Sequence, residues 1–263
     1  MRIIKIIISS ISMYSRLPVP GIFCDEDDMG HIITALPLIG AVIGIISYIT
    51  FLMLLNFNIP IVGITLILLL IPLLITGGFH VDGFMDVSDA LNSNLERKRK
   101  MEIMKDPHIG AFAVINLVIT GIVWTACLYI LIFTATSSKD YGGLFIYFAV
   151  FFFVRALCAM GSVTFTKAKK DGMLNMETHK SGTLDKVFIA LQALLGAGVM
   201  IYFDIIPGML TILGLFIYTY LYRHMCNKNF GGVTGDTAGY YVVTAERTAL
   251  IILAVWGVIG KIL

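Results

Sequence analysis

Residues 59–91 read IPIVGITLILLLIPLLITGGFHVDGFMDVSDAL, and the change of character inside this stretch decides the fold. From Ile59 to Ile75 the chain is apolar and uncharged; glycines 77 and 78 interrupt it, and aspartates follow at 82, 86 and 89. An apolar run of this length that gives way at once to polar residues reads as a membrane span reaching the edge of the hydrocarbon. Beyond the glycines, helical periodicity places the three aspartates within an arc of roughly 60°. Like charges on one stripe repel by about a few tenths of a kcal/mol per pair, so the pattern calls for a compensating cation. Mg²⁺, which takes one or two carboxylates together with phosphate oxygens, suits such a stripe. A solvated polar face, or acids favoured by the positive end of a helix dipole, would account for the same charges without a ligand.

The rest of the chain extends the membrane reading. Of its 263 residues, 58% are hydrophobic and 14% charged, against about 45–50% and about 25% in soluble domains. Ile3 to Met13 is too short to span and reads as a helix lying in the interface, anchored by Arg2, Lys5 and Arg16, before Pro18 and Pro20 break it. Spans are expected at His31–Leu55 (with Pro37 and a Gly40-x-x-x-Gly44 pair), Ile59–Ile75, Asp106 to about Thr134, Gly143–Phe165, Val187–Phe203 and Gly208–Tyr222. Thr248–Ile262 is a marginal seventh. Asp106-Pro107 reads as an N-cap with proline at the first helical position. The expected fold is therefore all-α: a polytopic bundle of six to seven transmembrane helices behind an N-terminal interfacial helix, one domain over residues 1–263. Cys24, Cys127, Cys158 and Cys226 form no C-x-x-C pair, so no thiolate zinc site is suggested.

Charge orients this bundle. The polar segments 80–110, 166–186 and 223–247 carry five, five and three Lys/Arg, whereas the connections near 57, 138 and 205 carry none, one and none. By the positive-inside rule the three rich segments are cytoplasmic, in a cell-membrane protein surrounded by lipid. The unusual polar groups then share one face, as an active site does and a pore does not. His80 would point away from the aspartates if the helix already includes it; a substrate or proton-transfer contact suits it better than a ligand role. Lys105 and Asp106 open a helix N-terminus suited to an anion. Lys167, Lys169 and Lys170 read chiefly as topology-setting charge, with a phosphate clamp as the alternative. Arg155, inside a span, costs about 2.5–3.5 kcal/mol on the lenient scale and must meet an acid or a phosphate. The third segment, FGGVTGDTAG from Phe230 to Gly239, is glycine-dense; it lacks the P-loop pattern, but glycine-rich loops can cradle phosphate through backbone N–H groups, and Asp236, flanked by small residues, favours a functional reading over a flexible turn. Gly77-Gly78-x-x-x-Asp82 is echoed by Gly231-Gly232-x-x-x-Asp236, too short a match to establish a repeat. Acids for a metal and cations for phosphate point to metal-assisted phosphoryl transfer at a membrane surface.

The motif GGFHVDGFMDVSDAL resembles the signature of the cobalamin synthase family, adenosylcobinamide-GDP ribazoletransferase, G-G-[LF]-H-x-D-G-x-x-D-x-x-D-[GA]-L. Collinear matches continue at Arg16-Leu17-Pro18-Val19-Pro20, Leu36-Pro37-Leu38-Ile39-Gly40, Met104-Lys105-Asp106-x-x-Ile109-Gly110-Ala111-Phe112 and Gly231-Gly232-x-Thr234-Gly235-Asp236-Thr237. The resemblance implies an Mg²⁺-dependent membrane enzyme that joins adenosylcobinamide-GDP to α-ribazole or its 5′-phosphate and releases GMP. Carried onto this chain it implies Asp82, Asp86, Asp89 and His80 as catalytic residues and Asp82, Asp86, Asp89 and Asp236 around Mg²⁺. Arg16, Lys105, Asp106, Arg155, Thr234 and Gly235 would contact substrate. Ala90 stands where many members have glycine. No nucleic-acid partner is expected, and assembly as a homo-oligomer stays open. Asp82-Gly83-x-x-Asp86-x-x-Asp89 also resembles CDP-alcohol phosphotransferases, whose second paired-acid segment is absent here. An ion transporter, with acids placed mid-span, is the remaining and weaker alternative.

Overall fold

The computed structural model describes residues 2–22, 24–169 and 172–260. Among them the regular elements are all helical: α1 (Arg2–Tyr14), α2 (Glu26–Met29), a 3₁₀ turn (Ile32–Ala35), α3 (Leu36–Asn56), α4 (Ile61–Thr76), α5 (Phe79–Asn92), α6 (Arg97–Ile103), α7 (Ala111–Ser138), α8 (Gly142–Thr164), α9 (Met173–Met176), α10 (Thr183–Phe203), α11 (Ile205–Asn229) and α12 (Gly235–Ile259). Among the described residues six stretches are long and apolar enough to cross a membrane: α3 with the 3₁₀ turn before it, α7, α8, α10, α11 and α12. The pair α4–α5, bent by 93°, is the seventh candidate. The molecule is a polytopic helical membrane bundle.

Its centre is α8, whose side chains are buried over most of their length. The Gly40-x-x-x-Gly44 pair lets α3 lie directly on it: a Cβ at Gly40 would stand 2.1 Å from the Phe151 carbonyl oxygen, and one at Gly44 2.3 Å from that of Phe148. α1 turns Ile3 and Ile4 outward and buries Ser9, Ser10 and Tyr14, as a helix lying against lipid would. Its cations meet the acidic cluster that follows, Arg2 at 2.6 Å from Asp28 and Lys5 at 3.8 Å from Asp25.

Two boundaries differ from the sequence reading. The third span starts at Ala111 with Gly110 as its cap, not at Asp106. Asp106 instead closes its own turn, accepting from the backbone N–H of His108 at 3.0 Å, which leaves the chain extended long enough for Gly110 to reach α5. The third polar segment is largely not a loop: α11 runs to Asn229, α12 begins at Gly235, and one 25-residue helix replaces the marginal span expected at Thr248–Ile262. Hydropathy broke that helix at Glu246 and Arg247, but neither is exposed. Glu246 accepts from Arg155 Nη1 at 2.6 Å and Arg247 donates to Thr120 at 2.7 Å, so α12 passes its charges through the bundle interior. All four cysteines are free.

Candidate active site

The polar segments meet at one end of the bundle. α4 terminates at Gly77 (φ 64°) and Gly78 (φ 83°), left-handed conformations that side chains resist, and the chain turns there into α5. A second left-handed pair, Gly231 (φ 83°) and Gly232 (φ 151°), turns α11 into α12. The short sequence echo thus corresponds to two glycine turns, each followed by a helix with aspartate in its first turn. These helices press together. A Cβ at Gly83 would lie 2.7 Å from the Asp236 carbonyl oxygen, and one at Gly239 2.9 Å from that of His80. The loop after α8 is stapled onto the second turn: Val233 N–H donates to Thr166 O at 2.8 Å and Ala168 N–H to Val233 O at 3.0 Å.

A cavity of about 280 Å³ results, lined by Asp82 and Asp236 together with Lys167 and Lys169, and further by Phe79, Thr234, Gly235, Asn175 and residues nearby. Thr234 Oγ1 accepts from Thr237 N–H at 3.1 Å, so this hydroxyl caps α12 while its residue lines the cavity. Asp86 stands half-buried on the same stripe. Burial first, then the neighbouring charges of Asp82, Asp236 and Asp89, push its carboxyl up to about 6. Asp89 faces the start of α7, where a Cβ at Gly110 would lie 1.9 Å from its Oδ2. Among the described residues no three His, Cys, Asp or Glu side chains converge to hold one ion. The donor set nevertheless fits Mg²⁺, which needs only one or two carboxylates and completes its shell with water and phosphate oxygens. The mutual repulsion of these acids, which Lys169 offsets only in part at Asp236, is what such a cation would remove.

Other residues singled out in the sequence lie elsewhere. α5 already includes His80, which turns from the aspartates into the bundle. It is buried with Nδ1 unpartnered. It shares a second cavity of about 120 Å³ with Arg155, Glu246, Thr76 and Thr120. Arg155, 1% exposed, has met an acid, Glu246. Arg16 lies across the first glycine turn: a Cβ at Gly77 would fall 2.3 Å from its Nε. Lys105 and Asp106 are exposed and line neither cavity. Conversely, Phe79 and Asn175 carried no sequence signal. Lys167 and Lys169 carried only an ambiguous one, because their approach to Asp236 depends on the staple to Val233.

The description Cobalamin-5-phosphate synthase matches residues 6–254. The chain belongs to that family. As a member of the cobalamin-5-phosphate synthase family it is an enzyme of cobalamin biosynthesis, a membrane-embedded transferase. A relative from Lachnoclostridium phytofermentans, named adenosylcobinamide-GDP ribazoletransferase, is 36% identical over 245 residues, 91% of this chain and 89% of its own. One of the same name from Clostridium perfringens strain SM101 is 31% identical over 261 residues, covering 95% and 98%. No solved structure matches the chain.

Proposed function

We propose that the chain joins adenosylcobinamide-GDP to α-ribazole, or its 5′-phosphate, giving adenosylcobalamin, or its 5′-phosphate, and GMP, with Mg²⁺ as cofactor. The observation that carries this reading is the cavity at the polar end of the bundle, with acids on α5 and α12 facing lysines of the loop after α8. A diphosphate substrate needs both: acids to carry a cation, and ammonium groups to balance remaining charge. A ribazole hydroxyl attacks the cobinamide-side phosphorus; the new O–P bond forms as the P–O–P bridge to GMP breaks. Asp82, Asp86, Asp89 and Asp236 would hold Mg²⁺, which when bound supplies electrostatic stabilisation of the phosphoryl oxygens. One carboxylate of α5 takes the proton from the attacking hydroxyl. Thr234 and Gly235, at the positive end of the α12 dipole, favour the substrate's anionic group. The excess of Lys and Arg in the segments forming this end supports a cytoplasmic face of the cell membrane.

The test is an assay on detergent-purified protein with adenosylcobinamide-GDP, α-ribazole or its phosphate, and Mg²⁺, following GMP and cobalamin. Wild type should form both products, EDTA should abolish them, and Asp82→Asn and Asp236→Asn should lower turnover about 10²–10³-fold with unchanged melting. Folded wild type that releases no GMP with either acceptor would sink the reading and reopen CDP-alcohol transfer.

A further inference from the structure

Lys167 differs from the other lysines of the polar end. Its side chain is half-buried against the cavity, and its ammonium is held by neutral oxygens: Asn175 Oδ1 at 3.3 Å and, more closely, Thr178 Oγ1. Thr178 is 4% exposed, and its one hydroxyl proton is already given to Leu174 O at 2.5 Å. It can therefore only accept from Lys167, which suits a charged ammonium and fixes it in place. Among the described residues no carboxylate lies within ion-pair distance of Lys167. Two of its three N–H donors go to these neutral oxygens, and the group borders a cavity that a diphosphate would enter. Partial burial lowers its pKa, as expected of a cation whose neutralising partner arrives with a ligand.

We infer that Lys167, positioned by Asn175 and Thr178, is the phosphate anchor of a nucleoside-monophosphate subsite that works without metal. It rests on the proposed reaction only for the identity of the nucleotide. When the P–O–P bridge breaks, the bridging oxygen stays with the leaving nucleotide, whose phosphate becomes a monoester and gains negative charge. The transferred phosphorus becomes a diester and gains none. The anion that most needs a fixed ammonium is thus the leaving group. GMP retained there would act as a product inhibitor competing with the diphosphate substrate.

The experiment is equilibrium binding of GMP, CMP and inorganic pyrophosphate to the purified full chain in EDTA, beside Lys167→Met, Lys167→Arg and Asp82→Asn, each checked by thermal melting. Wild type should bind GMP; Lys167→Met should weaken it about tenfold or more, Lys167→Arg by less than about threefold, and Asp82→Asn not at all. Wild-type affinity in Lys167→Met overturns the inference. So does equal loss in Lys167→Met and Lys167→Arg with lowered melting, which would mark a structural lysine. Absence of any nucleotide or pyrophosphate binding in EDTA overturns it too, and leaves the Mg²⁺-dependent assay to decide the reaction separately. Lys167-dependent binding of CMP but not GMP would uphold the anchor while removing the GMP-releasing reaction.

Discussion

Glu177, between the Asn175 and Thr178 that hold Lys167, is 3% exposed, with Oε1 unpartnered. Burial pushes its carboxyl up from 4.5 to about 7, although the nearby Tyr14 hydroxyl pulls the other way. The folded chain therefore keeps a proton that the unfolded chain gives up above about pH 4.5. Stability should fall as pH rises through that window and level off above about 7, a loss of up to about 3 kcal/mol. Glu177→Gln should flatten this slope and leave the protein more stable than wild type at pH 8. Melting curves between pH 5 and 8 check it; a wild type no less stable at pH 8 than at pH 5 would contradict it.

At the scale of elements, glycines let α5 and α12 approach closely, beside the stacked rings of Phe84 and Tyr240. Gly83→Ala drives a methyl against the Asp236 backbone. The helices must part, at a cost of about 1–3 kcal/mol, and turnover should fall because Asp82 and Asp236 separate. Gly198, within α10, meets nothing within 4 Å, so Gly198→Ala should be neutral or stabilising by up to about 1 kcal/mol. Comparing melting temperature and activity for the two variants separates close packing from helix propensity. The break between α4 and α5 was legible from Gly77-Gly78 alone, because two adjacent glycines at the end of an apolar run have few other uses.

Across the whole molecule, the buried pair Arg155–Glu246 ties α8 to α12 in the bundle interior. Arg155→Met should cost about 3–5 kcal/mol by stranding Glu246, and Arg155→Met with Glu246→Met should recover much of that loss. Detergent-solubilised melting temperatures of both variants test this; a double variant as unstable as the single would mean the pair is not the cause. For topology, single cysteines replacing Lys98 and Asn58 in a cysteine-free chain should react with an impermeant maleimide from opposite sides of sealed vesicles. Labelling of both from one side would contradict the assigned orientation.

The membrane bundle, most of its spans and the aspartate stripe were decided by sequence alone. Burying a span in lipid requires a long uncharged run, and a periodic row of acids sets its own direction on a helix. Only the tertiary structure decided what meets what. The sequence reading placed only the second half of α12 in a span, because the partners of Glu246 and Arg247, Arg155 and Thr120, lie on other helices. His80 and Arg155 looked like site residues by type but are turned into the bundle. Lys167 and Lys169 looked chiefly like topology-setting charge, yet a parallel bridge from Lys167 to Val233 accompanies their place in one cavity with Asp82 and Asp236. Composition and period report what each segment needs from its surroundings; which distant residue supplies it is a property of packing.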